Sequence, residues 1–151
     1  MNSEISFFVA GIPKPQARPM VFHGIKKGKG FVHTYSPKTS WYGLVYTKAL
    51  ETKNFTKKRL CGALQVVLVF YMPTPKSLSK KKIEKIYYVD KRPDVDNLAK
   101  AVMDAINQVG LWEDDSQVAE LRVIKAYSKN CFCPEGRQEG CQITIRELAN
   151  E

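Results

Sequence analysis

The sequence predicts an α+β domain: a mixed β-sheet of about four strands with two main helices packed on it. Three observations predict it. The run Ala63–Tyr71, A-L-Q-V-V-L-V-F-Y, is the most apolar in the chain and too short for a good helix, so it reads as a central strand buried on both faces. Leu98, Ala101, Val102, Ala105, Ile106 and Val109 recur at i, i+3, i+4, i+7, the spacing of a buried helical stripe. Two late segments, Gln117–Tyr127 and Cys141–Glu147, alternate apolar and polar residues as half-buried strands do.

Length and charge bound the rest. A chain of 151 residues is expected to form one domain, residues 1–151, with its own core. It carries 24 basic against 15 acidic residues, a net charge of +9. That excess points to a polyanionic partner, nucleic acid ahead of an anionic membrane surface. No apolar run approaches the ~18 residues of a membrane span, so no membrane role is expected. The start M-N-S-E-I-S-F-F-V-A-G has neither the basic region nor the apolar core of a signal peptide. A cytoplasmic protein is expected, with its four cysteines as reduced thiols.

In chain order, Ser3–Ile12 predicts a strand, with Ile5, Phe7 and Val9 on one face and Phe8 on the other. Pro13–His33 carries three prolines, glycines at 24, 28 and 30, and Lys14, Arg18, Lys26, Lys27 and Lys29. It predicts a basic, flexible loop or arm, either solvated or set against phosphates. Ser36-Pro37 fits an N-cap followed by a first-turn proline, opening a helix to about Glu51 with Trp41, Leu44, Val45 and Ala49 on one side. Lys57–Arg59 makes a basic turn before the central strand, which Pro73 and Pro75 end. Lys76–Asp90 interleaves lysines with Ile83, Ile86, Tyr87 and Tyr88, as a short amphipathic helix or a mobile flap, solvated or facing DNA. For the second helix, Pro93 disfavours helix before it, Asp96 suits the N-cap and Gly110 the C′ position. Asp96, Lys100, Asp104 and Asn107 then share its open side. The two alternating strands after this helix are expected to pair as a hairpin.

Acids flank that second helix. Asp94 and Asp96 stand at its start, just after Lys91, Arg92 and Pro93, and Glu113, Asp114 and Asp115 come soon after its end. Like charges brought together in a fold repel unless a cation offsets them. Mg²⁺, with Mn²⁺ as a substitute, prefers such carboxylate oxygens and commonly takes one or two of them plus substrate phosphate oxygens. Acid-only ligands without a nearby histidine argue against zinc and for phosphodiester chemistry. Lys100, four residues after Asp96, can offset part of the charge or touch a scissile phosphate. The plain alternative makes Asp96 an N-cap and Glu113–Asp115 a polar turn.

The stretch R-P-D-V-D-N-L-A-K-A-V-M-D-A-I, with G-L-W-E-D-D-S-Q-V following from Gly110, resembles the signature of the RusA-type Holliday-junction resolvases. G-I-P-K-P-Q-A-R-P and Y-S-P-K resemble the arm and the start of the first helix in that family. The resemblance implies a Mg²⁺-dependent, homodimeric endonuclease, often carried by prophages, that nicks four-way DNA junctions symmetrically in recombination and repair. It implies catalytic roles for Asp94, Asp96, Lys100 and Asp115, and metal-binding roles for the three acids with Asp114 as helper. Lys14, Arg18, Lys26, Lys27, Lys29, Arg92 and Asn97 are the expected DNA contacts. No small-molecule cofactor is expected. The longer Lys-rich segment 76–90 and the cysteine-bearing tip near residue 131 depart from simpler members.

Two rivals remain: a non-catalytic branched-DNA-binding protein, and a metal-dependent nucleotide hydrolase using the same acids. The charge and the basic arm favour a polymer over a mononucleotide. Cys131, Cys133 and Cys141 supply three thiols where a structural zinc normally wants four ligands, so Cys61, His23 or His33 would have to reach over. Free thiols are expected instead.

Overall fold

A computed structural model describes residues 3–17, 19–35, 38–129 and 138–149. In chain order these form β1 (Glu4–Ala10), β2 (Met20–Lys26), β3 (Lys29–Tyr35), α1 (Ser40–Thr56) and β4 (Leu64–Met72). They continue with α2 (Lys80–Lys85), α3 (Val95–Val109), a 3₁₀ turn Asp115–Gln117, β5 (Val118–Tyr127) and β6 (Gly140–Glu147).

Four strands make one mixed sheet in the order β1-β6-β4-β5, and β2 and β3 make a separate two-stranded ribbon. β4 is interior, as its apolar run requires. It runs parallel to β5 and antiparallel to β6. The parallel pair needs a long crossover, and that crossover carries α3. The α+β class and the two main helices are as the sequence predicts.

The core lies on one face of the sheet. Leu64, Val66, Leu68 and Phe70 of β4 meet Ile143 and Ile145 of β6 and Ile5 and Val9 of β1 there. Trp41, Val45 and Ala49 of α1 and Leu98, Val102, Ala105 and Ile106 of α3 cover them. Each large apolar side chain among them contributes about 1.5–3 kcal/mol by leaving water. The opposite face holds a smaller cluster, Tyr71 and Ala126 with Phe8, Val69 and Tyr87 packed on it. Elsewhere that face is a polar ladder: Ser6 Oγ with Thr144 Oγ1 at 3.1 Å, and Arg146 on Glu4 at 2.7 Å. β4 is therefore fully buried on one side and only half-buried at Gln65, Val67 and Val69 on the other.

Four expectations change. The stretch expected as a flexible arm contains the β2–β3 hairpin, with Lys27 in the left-handed region (φ 52) and Gly28 at φ 75 in its tight turn. β5 and β6 do not pair with each other, because β6 inserts between β1 and β4, where both its edges are bonded. Helix α1 starts later and runs longer than expected: Thr39 is its N-cap, its side chain accepting from the Tyr42 amide at 3.1 Å. Ser36 and Pro37 lie outside the described residues. Finally, the N-cap of α3 is Asp94, and Asp96 sits in the first turn. Of the two forms open for Lys76–Asp90, the short helix α2 is present. Among the described residues no helix is long and apolar enough to cross a membrane.

Candidate active site

The two acidic segments reach one end of α3 and its open face by different routes. Coming back from α2, the chain runs antiparallel beside β5: Tyr88 bridges Ala126, and the Val89 amide donates to the Lys125 carbonyl at 3.0 Å. The Lys125 ammonium donates to the carbonyls of Lys91 (2.5 Å) and Pro93 (2.8 Å), gripping the loop that delivers Asp94. Asp94 is extended (φ −73, ψ 145), and its carbonyl accepts the first helical bond from Leu98. Its carboxylate makes no capping bond. Asp96 accepts from the adjacent Asn97 amide, at 2.9 Å. Both acids are exposed and so available to a ligand.

The other acidic segment is positioned by the chain beyond Gly110, whose φ of 82 ends α3. Leu111 and Trp112 are buried, anchored by the bridge between Leu60 and Trp112. The Gln117 side chain accepts from the amides of Glu113 and Asp114 and donates to the carbonyls of Leu60 and Gly62. That stitching fixes the turn. Asp114 caps it, accepting from the Ser116 amide at 3.0 Å, and those Ser116 hydrogen bonds hold its carboxyl below the ordinary range. Asp115 behaves oppositely. Burial pushes its carboxyl up; the Trp112 indole N–H, 3.0 Å away, pulls it back, and the negative charges of Asp104 and Asp114 add to the rise.

These pieces line two adjoining clefts. One, of about 580 Å³, has Asp96, Lys100, Asp104 and Asp115 around it, with Val95, Ala99 and Met103 of α3 and Leu121 and Val123 of β5 as its apolar floor. The other, of about 990 Å³, takes in Asp94, Asn97 and Lys100, Lys91 and Arg92, and Lys14 from the N-terminal arm. The Gln16 amide donates to the Asn97 carbonyl at 3.1 Å and ties that arm to the first turn of α3. Lys100 is common to both clefts.

Residues 10–132 match the family described as endodeoxyribonuclease RusA. The chain belongs to the RusA family. The uncharacterized protein YqaN of Bacillus subtilis (strain 168) is 37% identical, with 96% of this chain and 97% of that protein covered. The crossover junction endodeoxyribonuclease RusA of Escherichia coli (strain K12) is 39% identical over 61 residues, 40% of this chain and 45% of its own. The enzyme of that name from Enterobacteria phage 82 matches to the same extent. This chain thus aligns with less than half of those named nucleases.

Within this RusA-family fold, the expected site residues divide. Asp96, Lys100 and Asp115 share one cleft; Asp94, Lys100, Lys14, Arg92 and Asn97 share the next. Asp114 lines neither and is spent on its turn. Lys26, Lys27 and Lys29 stand exposed at the hairpin tip and line neither cleft. Arg18, Cys131 and Cys133 lie outside the described residues. Cys61 and Cys141 are free thiols, the latter buried in β6 with its pKa pushed well up by that burial.

Three contributors were not assigned from sequence. Asp104 was visible on the open side of α3, four residues after Lys100, yet its proximity to Asp115 depends on how the turn folds back. Lys91 and Lys125 gave no pattern signal, because their roles come from a loop crossing a strand.

The donor chemistry suits a hard divalent cation: all-oxygen acids, with Asp104 and Asp114 raising the charge burden on Asp115. Among the described residues no three Asp, Glu, His or Cys side chains converge as a ready cage. Mg²⁺ does not demand one, since one or two carboxylates, water and phosphate oxygens suffice.

Proposed function

We propose that this RusA-family protein is a divalent-cation-dependent endodeoxyribonuclease that resolves four-way DNA junctions by paired symmetric nicks, in DNA recombination and repair. The observation that carries the reading is the convergence of acids from two separate segments, Asp96 and Asp115, on a cleft whose lysine, Lys100, also faces the cleft of Asp94.

Asp94, Asp96 and Asp115 are the residues to hold Mg²⁺, or Mn²⁺ in its place. Such a cation, when bound, supplies Lewis acidity at a phosphate oxygen and favours ionisation of water. The Lys100 ammonium offsets charge that builds on the phosphate being cut. Lys14, Lys91 and Arg92 take flanking phosphates in the adjoining groove, where charge-assisted hydrogen bonds favour the polyanion.

The substrate is two-fold symmetric, and a C₂ dimer presents two sites to it. The β2–β3 ribbon supports that assembly. It exposes Met20, Val21, Phe22, Ile25, Phe31 and Val32 and packs extensively on no other described helix or strand. A lone two-stranded hairpin is marginal in water, so we assign its apolar surface to the second subunit. Sedimentation at micromolar concentration gives the mass directly, and a monomer would remove the dimer from the reading.

The central test is cutting of an end-labelled four-way junction beside linear duplex, single strand and free deoxynucleotides, with Mg²⁺ and with chelator. Cutting of the junction only with the cation is expected. Asp94→Asn and Asp96→Asn should abolish cutting while gel shifts show the junction still bound. Preference for free nucleotides would instead favour a nucleotide hydrolase.

A further inference from the structure

We propose that Trp112 is a positioning residue: its indole N–H fixes the Asp115 carboxylate in the acid cleft, so that Asp115 can serve a divalent cation. The inference rests on the nuclease reading and adds to it a residue that touches neither substrate nor cation.

The geometry is specific. Trp112 is fully buried between the end of α3 and the 3₁₀ turn. Its Nε1 donates to Asp115 Oδ1 at 3.0 Å and to Asn107 Oδ1 at 3.2 Å. The bond holds one carboxylate oxygen and leaves the other for a ligand. Asp115 lines the acid cleft beside Asp96, Lys100 and Asp104, so fixing one of its oxygens sets how the other is presented there.

The fold itself does not require this bond. A buried N–H wants one acceptor, and Asn107 already provides it. Trp41 makes the contrast: its Nε1 is buried without a hydrogen-bond partner among the described residues, in the same core. The second acceptor is therefore better explained by what it does for Asp115. Outer contacts that orient a ligating group commonly change metal affinity by about 10–100-fold.

The unpartnered Trp41 also makes a clean test available. Replacing both tryptophans by 3-benzothienylalanine swaps each indole N–H for sulfur at nearly constant shape, and the only indole hydrogen bonds lost among the described residues are the two from Trp112, to Asp115 and Asn107. The probe is Mn²⁺, titrated by calorimetry against the whole protein. The analogue is expected to melt within a few degrees of the parent in chelator and to bind junction equally without metal. Its Mn²⁺ dissociation constant is expected to rise about tenfold or more. In the unmodified protein, ¹⁵N-tryptophan spectra without metal should show the Trp112 indole signal moving in Asp115→Ala and the Trp41 signal staying put. Unchanged Mn²⁺ affinity in the analogue overturns the proposal, as does an unmoved Trp112 signal. A parent protein that holds no Mn²⁺ at all overturns the nuclease reading first, and is told apart from those outcomes by the parent's own titration.

Discussion

The ammonium of Lys125, on β5, lies 2.8 Å from the carbonyl oxygen of Pro93, immediately before Asp94, and bonds the Lys91 carbonyl as well. A strand residue thus sets where the acidic loop leaves the sheet and where α3 begins. Lys125→Met keeps the stem and removes both bonds. Hydrogen bonds to a charged group contribute about 1.5–3 kcal/mol each when well placed, less where half-exposed. We expect a melting loss of a few degrees and junction cutting reduced about tenfold. Cutting at the parental rate would show that the loop keeps its position without the clamp.

Lys100 and Leu98 are two residues apart on α3 and face opposite environments: Lys100 is exposed beside both clefts, and Leu98 is 0% exposed in the core. Lys100→Met should cut far more slowly and melt like the parent. Leu98→Asp should unfold the domain, since an unpaired buried charge costs several kcal/mol, roughly 4 or more. A large melting loss in Lys100→Met would make its role structural.

Asp115 ties stability to pH. Its carboxyl is raised above the ordinary 3.8, by burial first, so the fold favours the protonated form. A raised carboxyl contributes stability that is full below the ordinary value and lost as pH climbs through the folded value. Without metal, Asp115→Asn should therefore melt higher than the parent at neutral pH, and the gap should close as pH falls below 3.8. Divalent cation should stabilise the parent more than the variant, which keeps only Asp94 and Asp96. Melting curves across pH, with chelator and with Mg²⁺, check both signs.

Salt dependence separates the two basic regions. Each phosphate contact adds a slope of about −0.9 to log affinity against log salt. Neutralising Lys14, Lys91 and Arg92 in the groove should flatten the slope by roughly 2–3. Neutralising Lys26, Lys27 and Lys29 at the hairpin tip reports whether the tip touches DNA as well. An unchanged slope in the groove variant would remove that groove from the DNA path.

Much of this was legible in the sequence. The apolar run of β4, the stripe of α3 and Gly110 after it are local patterns, and burial of a strand or a helical face follows from periodicity alone. The acids Asp94, Asp96 and Asp115 and Lys100 stood out because several carboxylates around one helix demand a reason. What pairs with what was decided only in three dimensions. β5 and β6 alternate alike and are consecutive in the chain, so a hairpin was the nearest solution. Yet β4 needed a neighbour on each edge, and β6 took the place between β1 and β4. The hairpin of β2 and β3 was hidden by the prolines just before it and by its own glycines and lysines, whose turn chemistry also suits a loop. Asp114 and Asp115 are adjacent and chemically identical. The Ser116 amide turns one into a cap, and the Trp112 indole holds the other in the cleft. Sequence fixes which groups a chain possesses, and packing alone decides which way they face.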